Sequence, residues 1–328
     1  MTFKFNWFYK NISMPENVPQ LWKKRLFLPC RHCIRHPYMI SLYTVKIHRG
    51  GTSCKLQFTE KAELENQAWI ERPGAALQIR GARQINFSGC TFKHLGATGL
   101  DYEWAVNNCR VEGCLFTDIG GTALALGAFP AGGFETHVPY MPEDEREYCS
   151  DIRIANNLIT EVTNEDWGCV GIGAGYVRNM TIEHNEVSYV NYSGICVGWG
   201  WTPLDSGMKN NRIHANYVHH FALQLYDAGG LYTLSNQPSS EMTANRIEQL
   251  GNAPYATNDR AFYIYFDEAT DGYRVKDNWC PEPLFDANRP GPANVWINNG
   301  PTVSDSIKSA AGLQPEYNYL KDSIHETN

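Results

Sequence analysis

The sequence has no apolar run of the roughly 18–20 residues that a membrane-spanning helix needs. Its first residues, MTFKFNWFYK, also lack the apolar core of about 7–15 residues found in a signal peptide. Charged residues make up only 19% of the 328 residues, and the net charge is −7. An acidic balance argues against nucleic acid as a partner over the whole surface. We therefore expect a folded protein with no membrane or nucleic-acid partner.

A complete zinc site is also missing. Cys30 and Cys33, with His32 and His36 close by, give half of a zinc-site spacing, but no second pair follows at a usual distance. The other cysteines, of ten in all, fall mostly within strand-like segments, where a free thiol behaves as a small buried hydrophobe. We predict neither a metal nor a cofactor, and the cysteines do not indicate a cellular compartment.

The chain divides into three parts by composition. Residues 1–50 hold nine Lys or Arg against one acidic residue, so their charge is opposite to that of the rest. We interpret residues 1–73 as a poorly specified or a truncated N-terminal segment and residues 74–300 as one repetitive domain. Residues 301–328, which include SIKSAAGLQPEYNYL, are predicted to form a cap or tail, with a short helix on the open end that a solenoid has to cover.

The domain from residue 74 to 300 contains an internal repeat. Seven segments alternate apolar and polar residues and then carry Cys or Asn, followed by one residue and another apolar position. They are INFSGCTF, CRVEGCLF, IRIANNLI, MTIEHNEV, RIHANYV, EMTANRI and YRVKDNWC, with key residues Cys90, Cys114, Asn157, Asn185, Asn216, Asn245 and Asn278. The key residues are 24, 43, 28, 31, 29 and 33 positions apart.

Alternation indicates strands, because strand side chains point to opposite faces with period two. Short strands in a repeat of this length, with no helical stretch and no leucine framework, predict an all-β parallel β-helix of about seven or eight coils. Stacked coils lie about 4.8 Å apart, so one key residue per coil would form a column. Asparagine suits such a column, because its amide both donates and accepts hydrogen bonds.

The 43-residue step predicts an insertion at residues 129–149. This stretch, FPAGGFETHVPYMPEDEREYC, lacks the alternation and is rich in Pro, Gly and acidic residues. Long loops in compact folds are often functional. We expect it to leave the solenoid wall and to help line the face that carries Trp199, with His137 reaching over a groove there.

Two aspartates are the best catalytic candidates. Asp227 and Asp267 each end an apolar segment, and FALQLYD superposes on AFYIYFD with aspartate on aspartate. That register would stack them on one wall, with carboxyl groups within about 10 Å, as glycoside hydrolysis requires. A second register aligns LYTL with the later strand and separates them further. Glu268 would face the other way, and all three could instead cap strand ends.

Aromatic residues near these acids suggest a sugar-binding face. Trp199 and Trp201 alternate in GWGW, so on a strand both would point to the same side. Two indoles there suit stacking on sugar rings, although packing beneath a loop would suit them equally well. Tyr192 and Tyr232 are weaker candidates of the same type.

Two histidines complete the candidate substrate-binding set. His219 and His220 lie just ahead of Asp227, and one of them must face out of an alternating strand. A histidine beside a carboxylate could hold a substrate hydroxyl or tune the acid. A solvated or turn-bonding role is the more common one for such a histidine.

Four strings resemble a known family: GAALQIRGARQINFSGCTFKHLG, NYSGICVGWGW, LYDAGGLYTL and YIYFDE. They look like the right-handed parallel β-helix carbohydrate-active proteins, and most like glycoside hydrolase family 141, whose members act as α-L-fucosidases or xylanases on plant cell-wall polysaccharides. The resemblance runs from about residue 74 to about residue 285. It implies an extracellular or periplasmic glycan hydrolase with paired carboxylates, at Asp227 and Asp267. We expect it to act as a monomer.

Two other functions remain open. A polysaccharide lyase or uronate epimerase would use a Lys, Arg or Tyr base to remove the proton α to a carboxylate. Possible bases are Arg178, Arg212, Arg246, Arg260 and Lys209, which do not cluster beside the acids in sequence. A glycan-binding β-helix would use an aromatic groove without cleaving.

Overall fold

The computed structural model describes residues 44–47, 74–129, 137, 139–253 and 261–325. The zinc spacing at Cys30 and Cys33 and most of the predicted N-terminal segment lie outside the described residues. No helix in the described part of the chain is long and apolar enough to cross a membrane.

The strands form three sheets of eleven, eight and six strands. Sheet 1 contains Thr44–Ile47, Ala75–Arg83, Thr98–Asn107, Leu124–Leu126, Cys149–Ser150, Ile172–Ala174, Val177–Arg178, Ile195–Val197, Ala228–Thr233, Ala261–Phe266 and Phe285–Ala287. Sheet 2 contains Asn86–Ser88, Arg110–Glu112, Arg153–Ala155, Thr181–Glu183, Arg212–His214, Asn236–Thr243, Asp271–Lys276 and Val295–Ile297. Sheet 3 contains Thr91–Leu95, Leu115–Ile119, Leu158–Val162, Glu186–Val190, Tyr217–Phe221 and Arg246–Leu250.

The chain visits the three sheets in a repeating order. One coil runs through Thr181–Glu183 in sheet 2, Glu186–Val190 in sheet 3 and Ile195–Val197 in sheet 1. Among the described strands every pair is parallel except Thr44–Ile47 with Ala75–Arg83. The predicted mostly-β chain with parallel sheets is confirmed, and the arrangement is consistent with a parallel β-helix.

The apolar positions of the repeat face inward. In sheet 2 the central residue of each strand lies opposite the central residue of its neighbours, which builds a continuous inner column. That column includes Val111, Ile154, Ile182, Ile213 and Met242, all fully buried. Burial of such side chains stabilises a fold by about 1.5–3 kcal/mol each, so the core holds the strands in register.

The predicted asparagine column is present. Asn157, Asn185, Asn216, Asn245 and Asn278 are all fully buried. In each step the side-chain amide nitrogen donates to the amide oxygen of the next, at 2.8–3.0 Å. Asn299, which the repeat pattern did not identify, continues the column beyond Asn278 at 2.8 Å. At the other end the Cys114 amide donates to Asn157 Oδ1 at 2.9 Å.

The column lies at the turn between sheet 2 and sheet 3. The residue before each key position has a positive φ; these are Gly89, Gly113, Asn156, His184, Ala215, Ala244, Asp277 and Asn298. A left-handed residue turns the chain sharply and leaves the next amide N–H without a strand partner. The neighbouring asparagine oxygen accepts that N–H, which explains why the column occupies the turn.

Replacing Asn216 with Ala should lower the free energy of unfolding by at least about 3 kcal/mol. Its oxygen accepts from the backbone and side-chain amides of Asn185, and its Nδ2 donates to Ile182 O and Asn245 Oδ1, all at 2.9–3.0 Å. The substitution leaves several buried polar groups unpaired. The exposed Asn164 is the control, and Asn164→Ala should change stability by about 0.5 kcal/mol or less. Equal losses in urea unfolding of the two variants would contradict a stabilising column.

Short helices are found near the C-terminus and in the insertion. They are the α-helices Asp305–Ala310 and Tyr319–His325 and the 3-10 turns Glu145–Glu147 and Pro315–Tyr317. The sequence correctly predicted a helix in the C-terminal segment.

The described part of the C-terminal segment packs along sheet 3, and its role as a cap stays a prediction. Gln314 exchanges two hydrogen bonds with Asn156, and Leu320 packs against Leu115 and Leu158. The segment therefore runs back along the wall at the edge of sheet 3. Leu115 and Leu158 occupy outward positions of sheet 3, and covering them removes apolar surface from water. Trp296, in the last strand of sheet 2, is 37% exposed.

Candidate active site

The two candidate aspartates lie at opposite ends of a pair of strands in sheet 1. Tyr232 is opposite Tyr265, and Thr233 is opposite Phe266. Asp267 therefore follows the end of its strand, whereas Asp227 precedes the start of the other. The register with aspartate on aspartate is wrong, and the alternative that aligns LYTL with the later strand is correct.

Tyr232 and Tyr265 connect the two aspartates despite this register. The Tyr232 hydroxyl donates to Asp267 Oδ2 at 2.5 Å, and the Tyr265 hydroxyl donates to Asp227 Oδ1 at 3.1 Å. The two rings meet edge to face, with centroids 5.0 Å apart. Both carboxylates thus bind the same aromatic pair. A carboxyl separation within about 10 Å stays a prediction.

Asp267 is held by three hydrogen-bond donors. Its side chain is buried, with 7% of the residue exposed. Oδ2 accepts from Trp201 Nε1 at 2.9 Å and from Tyr232, while Oδ1 accepts from Asn288 Nδ2 at 2.9 Å. Carboxylate oxygens accept hydrogen bonds, and all three of these partners donate. The arrangement fixes both oxygens of Asp267 in one orientation.

Asp227 is half-buried and has a left-handed backbone conformation, with φ of +57°. Aspartate tolerates that region better than most residues. Its carbonyl oxygen accepts from the Tyr192 hydroxyl at 2.9 Å, and its carboxylate accepts from Tyr265. The two tyrosines therefore hold both the backbone and the side chain of Asp227.

The charges of both aspartates act on the same tyrosines. Burial first, and then the negative charge of Asp227, raises the pKa of Tyr192 well above its usual value, with a further contribution from Asp267. Burial, followed by the charge of Asp267 and then that of Asp227, does the same to the pKa of Tyr232. Both phenols stay protonated at neutral pH, so they act as hydrogen-bond donors to the site.

The GWGW stretch is not a strand. The strand ends at Val197, and Gly198, Gly200 and Trp201 all have positive φ. A Cβ on Gly198 would lie 2.2 Å from Leu234 O, so only glycine fits. The glycines therefore let the chain turn close to the next coil.

The two indoles still lie side by side, with ring centroids 5.1 Å apart. Trp201 is 7% exposed and its N–H is bound to Asp267, so it is not an open stacking surface. Trp199 is half-buried and packs edge to face against Phe129, at 5.2 Å between ring centroids. Of the two, Trp199 is the better candidate for contact with a sugar ring.

The described parts of the insertion contact Trp199 and Trp201. His137 Nδ1 lies 2.8 Å from the carbonyl oxygen of Trp201, and Phe129 packs on Trp199. At the other end of the insertion, Tyr148 donates to Ser206 O at 3.0 Å. Residues 130–136 and 138 lie outside the described residues. The contacts agree with the prediction that the insertion lines the Trp199 face.

His219 and His220 lie in another part of the molecule. They belong to sheet 3, where their Nδ1 atoms are 2.7 Å apart. His219 Nε2 is 3.6 Å from Glu186, and the His220 ring stacks on Tyr189 at 4.4 Å. The structure does not bring these histidines to the aspartates, because the chain turns between sheets after Phe221.

Glu268 binds an arginine. Its carboxylate pairs with the exposed Arg289, at 2.5 Å. Among the described residues no group of three or more His, Cys, Asp or Glu is placed to hold a metal ion.

Sequence reasoning missed two residues of the site, Tyr265 and Asn288. Tyr265 lies within YIYFDE, and its outward direction could have been found from its alternation with Ile264 and Phe266, which face the core. Asn288 follows the point where the repeat pattern decays, so no sequence signal indicated it.

No family model and no curated protein matches the chain. A solved structure named "Glycoside hydrolase" is 45% identical over 85% of this chain, with a TM-score of 0.75. The match spans 46% of that structure's chain, so the present chain covers about half of its length. A second solved structure, "The complex structure of XylC with xylose", is 8% identical over 66% of this chain and 33% of its own, with a TM-score of 0.46. The chain is thus similar in sequence and fold to part of a solved glycoside hydrolase.

Proposed function

We propose that this protein is a right-handed parallel β-helix glycoside hydrolase that acts on plant cell-wall or related polysaccharides through Asp227 and Asp267. The observation that carries the proposal is the buried Asp267 carboxylate, bound by Trp201, Tyr232 and Asn288. The solved glycoside hydrolase at 45% identity supports the reaction class, and the resemblance to family 141 supports the substrate class. By the same resemblance, the protein works outside the cytoplasm, and we expect it to be a monomer.

The two aspartates take different roles in this mechanism. Asp267, with three donors and no acceptor among its side-chain partners, acts as the anion that attacks the sugar or activates water. Asp227, which lies at the other end of the strand pair, takes the second role, that of the acid that protonates the glycosidic oxygen as the bond breaks.

The surrounding aromatic residues supply the substrate contacts. Trp199 presents a half-buried indole beside Trp201, and His137 lies against the same stretch of chain. An indole covers the apolar C–H face of a sugar ring, while a histidine can bind a hydroxyl. Tyr192 and Tyr232 act through the aspartates, since their hydroxyls are already bound to Asp227 and Asp267.

A lyase or epimerase is less well supported. Three of the possible bases, Arg178, Arg212 and Arg246, are ion-paired with glutamates outside the aspartate cluster. Lys209 is exposed, and Arg260 lies outside the described residues. A glycan-binding protein would need the aromatic surface but would have no use for a buried, fully oriented carboxylate.

Product analysis on pectic and xylan oligosaccharides tests the proposal. We expect new reducing ends to accumulate without ultraviolet absorbance, because hydrolysis adds water and creates no double bond. The control is the Asp267→Asn protein at the same concentration, which should yield almost none. A product that absorbs in the ultraviolet would establish a lyase, and tight binding without any product would establish a binding protein.

A further inference from the structure

The asparagine column changes its chemistry at one end. In the first two coils the key residues are Cys90 and Cys114, in place of asparagines. The Cys90 amide donates to Cys114 Sγ at 3.4 Å, just as the Asn157 amide donates to Asn185 Oδ1. Each thiol also donates to the carbonyl oxygen two residues before it, Cys90 to Ser88 O and Cys114 to Glu112 O, both at 3.5 Å.

The backbone brings these two cysteines to disulfide distance. Thr91 lies opposite Leu115 in sheet 3, and the Leu115 amide donates to Cys90 O at 2.9 Å, so Cys90 lies opposite Cys114. Neighbouring strands are separated by about 4.8 Å. Disulfides bridge Cα atoms about 4.4–6.8 Å apart, so the register is compatible with a bond.

The environments of the two thiols differ in a way that suits stepwise oxidation. Cys90 is partly exposed and can meet a reagent, whereas Cys114 is fully buried. The hydrogen bond from Cys114 lowers the pKa of the Cys90 thiol to about 7. Burial raises the pKa of Cys114, so Cys90 is the thiol that ionises first.

We propose that Cys90 and Cys114 form a redox-active pair that closes to a disulfide between the first two coils on reaction with a small-molecule disulfide. The Cys90 thiolate attacks one sulfur of the reagent and releases one thiol, which leaves a mixed disulfide on Cys90. Cys114 then loses its proton and attacks Cys90 Sγ, which releases the second thiol. Two protein thiols are thereby oxidised, and one small-molecule disulfide is reduced to two thiols.

The disulfide would join two coils that lack the asparagine–asparagine hydrogen bonds found between later coils of the column. Each asparagine oxygen accepts a side-chain and a backbone hydrogen bond from the neighbouring coil. The Cys114 sulfur, a weaker acceptor, accepts the backbone hydrogen bond of Cys90. A disulfide across this 24-residue step also restricts the unfolded chain. The oxidised protein should therefore melt at a higher temperature than the reduced one.

The test uses the full chain, reduced and then treated with oxidised glutathione, alkylated and mapped by mass spectrometry without reduction. We expect a peptide pair linked through Cys90 and Cys114, two hydrogens lighter than the separate peptides, and a rise in melting temperature that dithiothreitol reverses. Cys196, which is also partly exposed but has no cysteine opposite it, serves as the internal control and should remain a thiol.

The Cys90→Ser variant should form no such pair and should show no rise in melting temperature. Any of three results would overturn the proposal: both thiols still free after oxidation, a lasting glutathione adduct on Cys90 beside a free Cys114, or a bond from Cys90 to another cysteine. Because this readout does not depend on hydrolysis, it is separate from the test of the proposed function.

Discussion

Replacing Asp267 or Asp227 with Asn is expected to lower the rate of glycoside hydrolysis by about 10³-fold or more, because general acid–base steps contribute up to about 10⁴-fold. Asp267→Asn removes the anion that three donors orient, and Asp227→Asn removes the transferable proton. Initial rates of reducing-end release measure both effects. Activated aryl glycosides should partly rescue Asp227→Asn only, since a good leaving group needs little protonation.

The control for this experiment is Asp277→Asn. Asp277 shares the φ of +57° found at Asp227 but lies at the turn between sheet 2 and sheet 3, where Asn298 binds its carboxylate. It should keep full activity. A loss of activity equal to that of Asp227→Asn would show that the change disturbs the solenoid and not the chemistry.

Stability has to be measured alongside these rates. In Asp267→Asn an NH₂ group, which donates, replaces one carboxylate oxygen, which accepts. The NH₂ group would then face another donor, either Asn288 or the pair Trp201 and Tyr232. A buried mismatch of this kind costs about 1–3 kcal/mol. We therefore expect a lower melting temperature for Asp267→Asn, and the rates should be compared well below it.

The asparagine column was predictable because one physical requirement repeats in every coil. The turn after sheet 2 leaves an amide N–H to be paired, and Asn157, Asn185 and their successors supply the acceptor. A requirement met once per coil leaves a periodic trace in the sequence. Asn299 escaped notice because the strand before it, Val295–Ile297, is exposed and loses the usual alternation.

The strand register around the aspartates was not predictable from the ends of the segments. Asp227 and Asp267 are each the polar residue at the end of an apolar segment, and the predicted register paired these two ends. The strand register is set instead by the apolar residues that face the core. Leu231 and Ile264 both face inward and pair with each other, which places Tyr232 opposite Tyr265. A shift by one residue would turn these side chains to the wrong face.

The backbone conformation near the site was also not predictable from the sequence. Alternation in GWGW suggested a strand, but glycine permits positive φ, and the chain turns there. His219 and His220 are near Asp227 in sequence yet lie in sheet 3, because eight residues are enough for the coil to change sheets. In a fold built of stacked coils, two residues lie close together when they occupy matching positions of neighbouring coils. A short separation in sequence is a poorer guide.

Trp201→Phe and Tyr232→Phe are each expected to lower kcat by about 10- to 100-fold, as loss of a supporting hydrogen bond does at other buried sites. Both residues donate to Asp267 Oδ2, and both are buried, so neither substitution should change KM much. Trp199→Ala should act on KM instead, since the half-buried Trp199 indole is more accessible to a sugar ring than the buried Trp201 indole. Steady-state kinetics on one oligosaccharide separate the two patterns.

The double variant Trp201→Phe/Tyr232→Phe decides whether the two donors act through one atom. Because both bind Asp267 Oδ2, loss of the first frees the carboxylate to rotate, and loss of the second then removes less. The fall in kcat should therefore be smaller than the product of the single effects, with a coupling free energy of about 0.5–3 kcal/mol. Pairing Trp199→Ala with Tyr232→Phe should give additive effects. If Trp201→Phe raised KM and left kcat unchanged, Trp201 would be a sugar-binding surface and not a support for Asp267.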